Sequence, residues 1–220
     1  LVKYLKEKKY KVVSASSKKK ANNLQIDFTK EIKLKKKIDW IVHIAAHHKI
    51  EDFAKYPKVK AKRNVAMTRN LMNFAKKNKI YNYIFFSTID INFNPFPPLK
   101  NIYIKSKINS EKYLVNEFKK KKLKNIQILR LPAVVGKMSG KNFIKNLIKN
   151  LRKNKEVNIW NQNNYFNNLV HINDLNRLIF FLISGKNKKN NKIIDCVSSK
   201  PIKLKNLVFN LKKKLKSKSN

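Results

Sequence analysis

Glycine, cysteine and acidic side chains are scarce in this sequence. The 220 residues include three glycines, the single cysteine Cys196, and 12 acidic residues against 53 lysines and arginines. One cysteine excludes an internal disulfide and a cysteine-based zinc site. No run of about 18 apolar residues is present, so membrane insertion through a hydrophobic helix is not expected. The lysine-rich helical pattern of residues 1–10 does not have the form of a signal peptide, and the expected location is cytoplasmic.

The second compositional feature is a net charge of +41 at pH 7. Such a charge on its own suggests a polyanionic partner, either nucleic acid or an anionic membrane surface. The lysines are spread along the whole chain beside many asparagines and isoleucines, however, as expected from a genome rich in adenine and thymine. No GXXG loop or zinc knuckle of an RNA-binding domain is present. We therefore interpret the charge mainly as solvated surface, and RNA binding stays the alternative.

Strand-like and helix-like segments alternate along most of the chain, which favours a parallel sheet with crossover helices. The hydrophobic fraction of 42% is enough for a core. Strands are predicted at residues 11–15, 24–26, 38–44, 83–86, 126–131, 156–160 and 193–197. Helices are predicted at residues 1–10, 64–78, 103–119, 142–153 and 173–183, followed by a last basic helix and a frayed end at 212–220. The sequence therefore predicts an α/β fold.

The clearest chemical pattern is a tyrosine and a lysine four residues apart on a predicted helix. Tyr103 and Lys107 share one helix face at this spacing. An ammonium beside a phenol favours the phenolate and lowers the phenol pKa, which makes the tyrosine a usable acid or base. Ser87 and Thr88 end a strand upstream, at the edge where open α/β sheets bind ligands. The spacing alone is weak evidence, because Tyr4 and Lys8 match it too.

Six segments in order give this pattern a context. They are IDWIVHIAAH (38–47), NVAMTRNLMNFAKK (64–77), YIFFST (83–88), YIKSKINSEKYL (103–114), ILRLPAVVG (128–136) and LVHINDL (169–175). Together they resemble motifs of the extended short-chain dehydrogenase/reductase family, which comprises NAD-dependent nucleotide-sugar epimerases, dehydratases and reductases. The resemblance covers nearly the whole chain and implies a Rossmann-like, doubly wound parallel sheet with a small C-terminal region.

The resemblance also implies roles for individual residues. Thr88 would orient the substrate oxygen, with Ser87 beside it, Tyr103 would be the acid/base, and Lys107 would hold the nicotinamide ribose and tune the tyrosine. The implied cofactor contacts are Asp27 and Phe28 at the adenine, Ala45, Ala46 and His47 along the groove, and Asn64 supporting it, together with Tyr103 and Lys107.

Several of these residues also have plain structural interpretations. Asp27 could be a turn residue and Asn64 a helix N-cap, while His43 fits a packed structural position. His47 and His48 are adjacent, so their side chains point in different directions, and no carboxylate cluster accompanies them. We therefore expect no metal site.

The chain departs from the family pattern at some positions. Ala133 and Asn167 stand where many relatives carry a substrate-contacting asparagine and a diphosphate-binding arginine, and Lys137 is one candidate for the lost charge. Dehydratases of the family follow the threonine with an acidic residue or pair, but here Ile89 precedes a single Asp90. This departure favours an epimerase or ketoreductase over a dehydratase.

The resemblance implies NAD or NADP as cofactor and a nucleotide-sugar as substrate. Residues 15–20 read ASSKKK and contain no acidic residue to bind the ribose hydroxyls, which favours NADP slightly. A dehydrogenase acting on another small alcohol is a further alternative, and a homodimer is compatible with the resemblance.

Two glycines, Gly136 and Gly140, suggest a boundary between a dinucleotide-binding domain at 1–135 and a substrate-binding region at 136–220. The chain opens inside a helix, without the strand and glycine-rich turn that cradle a pyrophosphate. We expect an upstream segment of roughly 15 to 20 residues that carries this turn, and weak dinucleotide binding by the chain without it.

Overall fold

The computed structural model describes residues 1–19, 21–48, 50–96, 100–136, 142–185 and 190–219 of the chain. Its helices are α1 (Val2–Glu7), α2 (Ile50–Lys55), α3 (Pro57–Lys77), α4 (Asn101–Lys119), α5 (Phe143–Arg152), α6 (Ile172–Ser184) and α7 (Leu204–Leu215). Its strands are β1 (Ala15–Ser16), β2 (Leu24–Gln25), β3 (Trp40–His43), β4 (Asn82–Thr88), β5 (Asn125–Leu131), β6 (Ala133–Val135), β7 (Tyr165–Phe166), β8 (Leu169–His171), β9 (Asn190–Asp195) and β10 (Ile202–Lys203). None of the helices among these residues is both long enough and apolar enough to span a bilayer.

The largest sheet has the strand order β3-β4-β5-β9. β3 pairs with β4 in parallel, and β5 pairs with β9 in parallel. The two central strands, β4 and β5, are almost continuously buried, as strands covered on both faces must be. β1 and β2 form a separate short parallel pair. The α/β fold that the sequence predicts is confirmed.

The main core lies between this sheet and the helices α3 and α4. Tyr83 and Ile128 are fully buried on the central strands, and Met72 and Leu114 are fully buried on the two helices. Burying a large apolar side chain of this kind contributes about 1.5–3 kcal/mol. This packing fixes the position of α4 against the sheet, and α4 carries the predicted Tyr103 and Lys107.

The described residues divide into two compact units. The first comprises residues 1–130 and 178–195, and the second comprises residues 131–177 and 196–220. The second unit has its own small cluster, formed by Leu147 and Leu151 of α5 with Val208 of α7. It contains the short pairs β6–β8, which is parallel, and β7–β10, which is antiparallel. Residues 137–140 of the expected 136–140 boundary lie outside the described residues.

Two expectations from the sequence are wrong. Residues 156–160 do not form a strand: Val157 and Ile159 pack against the α5–α7 cluster, so their alternating pattern covers a core without a partner strand. The end of the chain is not frayed through residue 219. α7 continues to Leu215, and beyond it the Lys218 N–H donates to the Asn154 side chain (2.8 Å) while Ser219 is buried.

The remaining differences concern boundaries and short elements. The strand expected at 11–15 is reduced to Ala15–Ser16, and the helix expected at 64–78 starts earlier, at Pro57. Proline suits the first turn of a helix because its missing N–H has no partner there in any case. The short helix α2 and the 3-10 turn Ile89–Asn92 have no counterpart in the sequence-based prediction.

Candidate active site

Tyr103 and Lys107 lie on α4 beside the end of β4. The Lys107 Nζ donates a hydrogen bond of 2.7 Å to the carbonyl oxygen of Phe86, the residue immediately before Ser87 and Thr88. The same Nζ lies 5.9 Å from the centre of the Tyr103 ring and 4.7 Å from that of Phe85. Lys107 therefore contacts the end of β4 and lies near the ring of Tyr103. The predicted phenol, amine and hydroxyls lie in the same region of the structure.

Lys107 has an unusual electrostatic environment. Its side chain is 3% exposed, and burial lowers its pKa to about 7, with Glu111 on the same helix opposing the shift. Desolvation penalises the charged form of a buried amine. The amine therefore exchanges between charged and neutral forms near neutral pH in the ligand-free chain, which suits a group that handles protons or adjusts a neighbour's charge.

The phenol of Tyr103 departs from the sequence-based expectation. Burial raises its pKa above its usual value of about 10, and the nearby charge of Asp90 raises it further. The lysine spacing predicted a lowered pKa, and that expectation is wrong for the ligand-free chain, because spacing reveals neither the desolvation of the ring nor Asp90. Phe53 packs edge-on against the ring at 5.6 Å and contributes to this apolar surrounding. The phenol is therefore protonated at neutral pH before any ligand binds.

The two hydroxyls at the end of β4 differ in their surroundings. The Thr88 Oγ1 donates to the Asp90 carboxylate (3.1 Å) and accepts from the Asp90 N–H (3.3 Å). Lys100 donates to the same carboxylate at 2.9 Å. The Ser87 hydroxyl is buried with no hydrogen-bond partner in the described part of the chain. An unsatisfied buried hydroxyl is costly, so the hydrogen bonding of Ser87 is incomplete in the described part of the chain.

The side chain of Asn64 connects the loop after β3 to α4. Its side-chain oxygen accepts from the His47 N–H (2.8 Å), and its amide donates to the His47 carbonyl (3.0 Å) and to the Ser106 hydroxyl (3.3 Å). The Ser106 hydroxyl donates to the carbonyl of Tyr103 (2.6 Å). Asn64 lies inside α3 and not at its N-cap. It therefore fixes the backbone of the loop that follows β3, which also contains Ala45 and Ala46, relative to the residue bearing the phenol.

Asp27 and Phe28, the residues expected at an adenine, follow β2. The Asp27 carboxylate accepts from the Thr29 N–H (2.9 Å) and hydroxyl (2.7 Å), and these bonds lower its pKa. This is the hydrogen-bonding pattern of a turn residue. The side chain of Phe28 is buried in the main core, and its carbonyl accepts from Asn70. Because its side chain is in the core, Phe28 can contact a ligand only through its backbone.

His43 occupies a buried position on β3. Nδ1 of its ring lies 2.9 Å from the Tyr83 hydroxyl, and the ring packs against Phe85. Burial, aided by the charge of Lys107, lowers its pKa to about 3. The imidazole is therefore neutral and packed, as expected for a structural residue.

Sequence reasoning missed the ion pairs that hold this region together. Arg130 donates to both carboxylate oxygens of Glu111 (3.2 and 2.8 Å) and to Asn92 (2.9 Å). Asn92 in turn donates to Asp195 at 2.7 Å. The only available signal was the scarcity of acidic residues: each of the few acids inside an apolar pattern, such as Glu111, needs a cationic partner.

The described residues outside this region show few further features of a functional site. No group of three histidine, cysteine, aspartate or glutamate side chains converges within residues 1–219 apart from the gaps stated above. The Asn167 amide donates to the Ser198 carbonyl (3.4 Å). Lys137, the candidate for the missing positive charge, lies outside the described residues.

Comparisons with known proteins show the family and the fold of the chain. A family model described as "NAD dependent epimerase/dehydratase family" matches residues 1–196. No curated protein matches the chain.

Among solved structures, a UDP-glucose 4-epimerase from Thermotoga maritima is 18% identical with a TM-score of 0.78, over 100% of this chain and 79% of that one. A UDP-N-acetylglucosamine 4-epimerase from Bacillus cereus is 17% identical with a TM-score of 0.75, over 98% and 76%. A dTDP-glucose 4,6-dehydratase from Streptomyces venezuelae is 18% identical with a TM-score of 0.67, over 89% and 64%. At these identities the likeness shows a shared Rossmann-type fold. Because the family model spans most of its residues, the chain belongs to the NAD-dependent epimerase/dehydratase family.

Proposed function

We propose that the chain is an NAD(P)-dependent epimerase or ketoreductase acting on a nucleotide-sugar in the cytoplasm, with Tyr103 as its acid/base. The observation that carries the proposal is the position of Lys107, whose Nζ contacts the Phe86 carbonyl at the end of β4 and lies 5.9 Å from the Tyr103 ring centre. The named ligands of the solved relatives support the substrate and cofactor classes, since they include UDP-glucose in one and NAD in another.

The residues near the carboxyl end of β4 suit a nicotinamide cofactor. The unpartnered Ser87 hydroxyl offers a hydrogen bond, and Lys107 offers a buried cation or amine. Asn64 holds the loop after β3, at the sheet edge where α/β folds bind dinucleotides. A bound nicotinamide would supply the acceptor or donor of hydride.

Tyr103 would move the proton. In the reductive direction the protonated phenol donates its proton to a sugar carbonyl oxygen as the carbonyl carbon gains hydride. In the oxidative direction the phenolate takes the proton of a sugar hydroxyl as the same carbon loses hydride. Since burial and Asp90 raise the pKa of Tyr103, the ligand-free chain is prepared for donation. A cation at the site, either charged Lys107 or an oxidised nicotinamide, would favour the phenolate.

A dehydratase of the same family is the second candidate, and Asp90 is the observation that favours it. Its carboxylate is buried beside Thr88, where it could act on a sugar proton. Its bonds to Thr88 and Lys100 argue against this role, because both donors already occupy the same oxygen of the carboxylate. We therefore propose epimerase or ketoreductase chemistry first. Residues 1–135 are proposed to hold the cofactor and residues 136–220 to supply substrate contacts.

The test is a panel of UDP-, GDP- and dTDP-sugars offered to the purified protein with each of NAD⁺, NADH, NADP⁺ and NADPH. Products are identified by NMR, and reduced nicotinamide is followed by its absorbance. We expect an epimer or a reduced sugar from at least one substrate, with NADP bound somewhat more tightly than NAD. A dehydrated 4-keto sugar would favour the second candidate, and the absence of both turnover and cofactor binding would refute the proposal.

A further inference from the structure

The face of α4 that carries Tyr103 and Lys107 also carries a second lysine, which the chemistry proposed above does not use. Lys100 is the N-cap of α4, and Tyr103 and Lys107 follow it at three and seven positions. Residues at these spacings lie along one face of an α-helix. Lys107 contacts the end of β4, and Lys100 contacts Asp90 in the turn that follows β4. The two lysines therefore lie on either side of the phenol along the helix.

The carboxylate of Asp90 is held by two donors. Its Oδ2 accepts from the Thr88 hydroxyl (3.1 Å) and from the Lys100 Nζ (2.9 Å). Asp90 is 8% exposed, whereas the side chain of Lys100 is 40% exposed. A charge that is buried to this degree needs a partner of opposite charge. The position and the charge balance of Asp90 therefore depend on a side chain that reaches it from the start of α4.

The bond to Asp90 determines which hydrogen bond Thr88 can offer a ligand. A threonine hydroxyl has one proton to donate and two lone pairs that accept. The proton of Thr88 goes to the Asp90 carboxylate, and one lone pair accepts from the Asp90 N–H. One lone pair remains, so in this arrangement Thr88 can accept from a sugar hydroxyl and has no proton to give. Lys100 holds the carboxylate that sets this arrangement.

The charge of Asp90 also acts on Tyr103. It adds to burial in raising the pKa of the phenol. Lys107 is the charged group beside the ring on α4 itself, and α2 presents the apolar Phe53 to the ring. A cation paired with Asp90 offsets its negative charge at the phenol. Without Lys100, an uncompensated carboxylate would oppose the phenolate that the oxidative direction requires.

The geometry points to Lys100 as a positioning residue that acts through Asp90 on the Thr88 hydroxyl and on the Tyr103 phenol. This inference rests on the proposed function, because it concerns the same proton transfer. The alternative is a plain structural ion pair between α4 and the turn after β4. The two roles differ in one respect. Removing either partner breaks the ion pair, but only removal of the lysine leaves an unpaired carboxylate near the phenol.

The test compares Lys100→Met, Lys100→Arg and Asp90→Asn with the wild type on its best nucleotide-sugar. We expect Lys100→Met to lower kcat/KM for the sugar about tenfold, the effect of one neighbouring charge on an ionising group, with cofactor affinity unchanged. Lys100→Arg keeps the cation and should retain turnover. Asp90→Asn should raise turnover, because it removes the negative charge while its amide oxygen can still accept from Thr88.

The double variant Lys100→Met/Asp90→Asn tests whether the lysine acts through the carboxylate. In the Asp90→Asn background, Lys100→Met should change kcat/KM by less than about twofold, because an exposed lysine without its partner contributes little. Lys112→Met, at an exposed lysine of the same helix, is the control and should leave turnover unchanged. The melting temperature of Lys100→Met should stay near that of the wild type, since partly exposed ion pairs stabilise weakly. Lys100→Gln replaces Lys100→Met if that variant does not fold.

Three outcomes would overturn the inference in an active wild type. Equal losses of turnover in Lys100→Met and Asp90→Asn would make the pair structural. Loss in Asp90→Asn alone would make Asp90 an acid/base of the reaction. Unchanged turnover in folded Lys100→Met would show that the lysine has no role in it. A wild type that turns over no nucleotide-sugar would instead refute the proposed function, and the role of Lys100 with it.

Discussion

At the scale of single residues, the site depends on buried polar side chains that hold backbone segments together. Asn64 bonds both backbone groups of His47 and the hydroxyl of Ser106. Its 3% exposure means that water cannot replace these bonds. The position of the loop after β3 therefore depends on one amide side chain.

We expect Asn64→Leu to lower the free energy of unfolding by about 2–3 kcal/mol, because it leaves buried partners unsatisfied. Asn70→Leu is the matched control on the same helix, since the Asn70 amide makes a single bond to Phe28, and it should cost about 1 kcal/mol. Urea denaturation measures both variants. Equal losses of unfolding free energy in the two variants would show that the bonds of Asn64 to His47 and Ser106 contribute no more than one hydrogen bond.

The pKa of Lys107, about 7 in the folded chain, links this residue to stability. Between pH 7 and the ordinary lysine value of about 10.4, the unfolded chain binds more protons at this position than the folded chain. The contribution of Lys107 to the free energy of unfolding therefore rises with pH across this window. At more acidic pH, the folded chain must carry a desolvated ammonium.

We expect the stability of the wild type relative to Lys107→Met to increase between about pH 7 and about pH 9. Lys112→Met, at an exposed lysine of the same helix, should show no such change. Urea denaturation of the three proteins at both pH values provides the measurement. Parallel pH profiles for wild type and Lys107→Met would mean that the amine is not desolvated.

At the scale of elements, α4 is both a core helix and the carrier of the site. Leu114 is fully buried in the main core, while Tyr103 and Lys107 lie beside the end of β4. The packing of α4 on the core therefore determines the positions of the Tyr103 phenol and the Lys107 amine.

Leu114→Ala should lower the free energy of unfolding by about 2–5 kcal/mol through the cavity it leaves. Leu24→Ala, at a leucine that is 37% exposed, is the control and should cost far less. Thermal and urea denaturation give both values. A small loss at Leu114 would contradict the packing of α4 against the sheet.

The sequence supported the elements better than the contacts between them. The spacing of Tyr103 and Lys107 predicted a shared helix face, because helix periodicity is local. The hydrogen-bonded residues Asn64 and His47 are 17 positions apart in the sequence, and Glu111 and Arg130 are 19 positions apart. No local sequence pattern predicts such pairings. The raised pKa of Tyr103 escaped prediction for the same reason, since it depends on burial and on Asp90 from another element. The strand predicted at residues 156–160 is absent because alternating apolar side chains can also pack on a core from a segment that pairs with no other strand.

At the scale of the whole molecule, the net charge of +41 is the dominant feature. Self-repulsion of like charges destabilises a compact chain. At 0.1 M, salt largely screens the repulsion between exposed charges that are more than about 10 Å apart. Only a few of the 53 cationic residues are paired with acids in the described part of the chain. Repulsion should therefore exceed attraction.

We expect the melting temperature to rise when NaCl is raised from low to moderate concentration, measured by circular dichroism. The reason is that screening removes more repulsion than attraction in a chain with this charge. A melting temperature that falls with salt would show that the few ion pairs, such as Arg130–Glu111, contribute more than the net repulsion.

The claim on which the functional account rests is that the Tyr103 phenol transfers the proton that accompanies hydride transfer. The most direct test is Tyr103→Phe in the protein, with turnover of its best nucleotide-sugar and cofactor affinity measured side by side. Tyr113→Phe, on the same helix, is the control. We expect Tyr103→Phe to lower turnover by about a hundredfold or more with cofactor affinity unchanged, and Tyr113→Phe to retain activity. Turnover retained in Tyr103→Phe would contradict this claim.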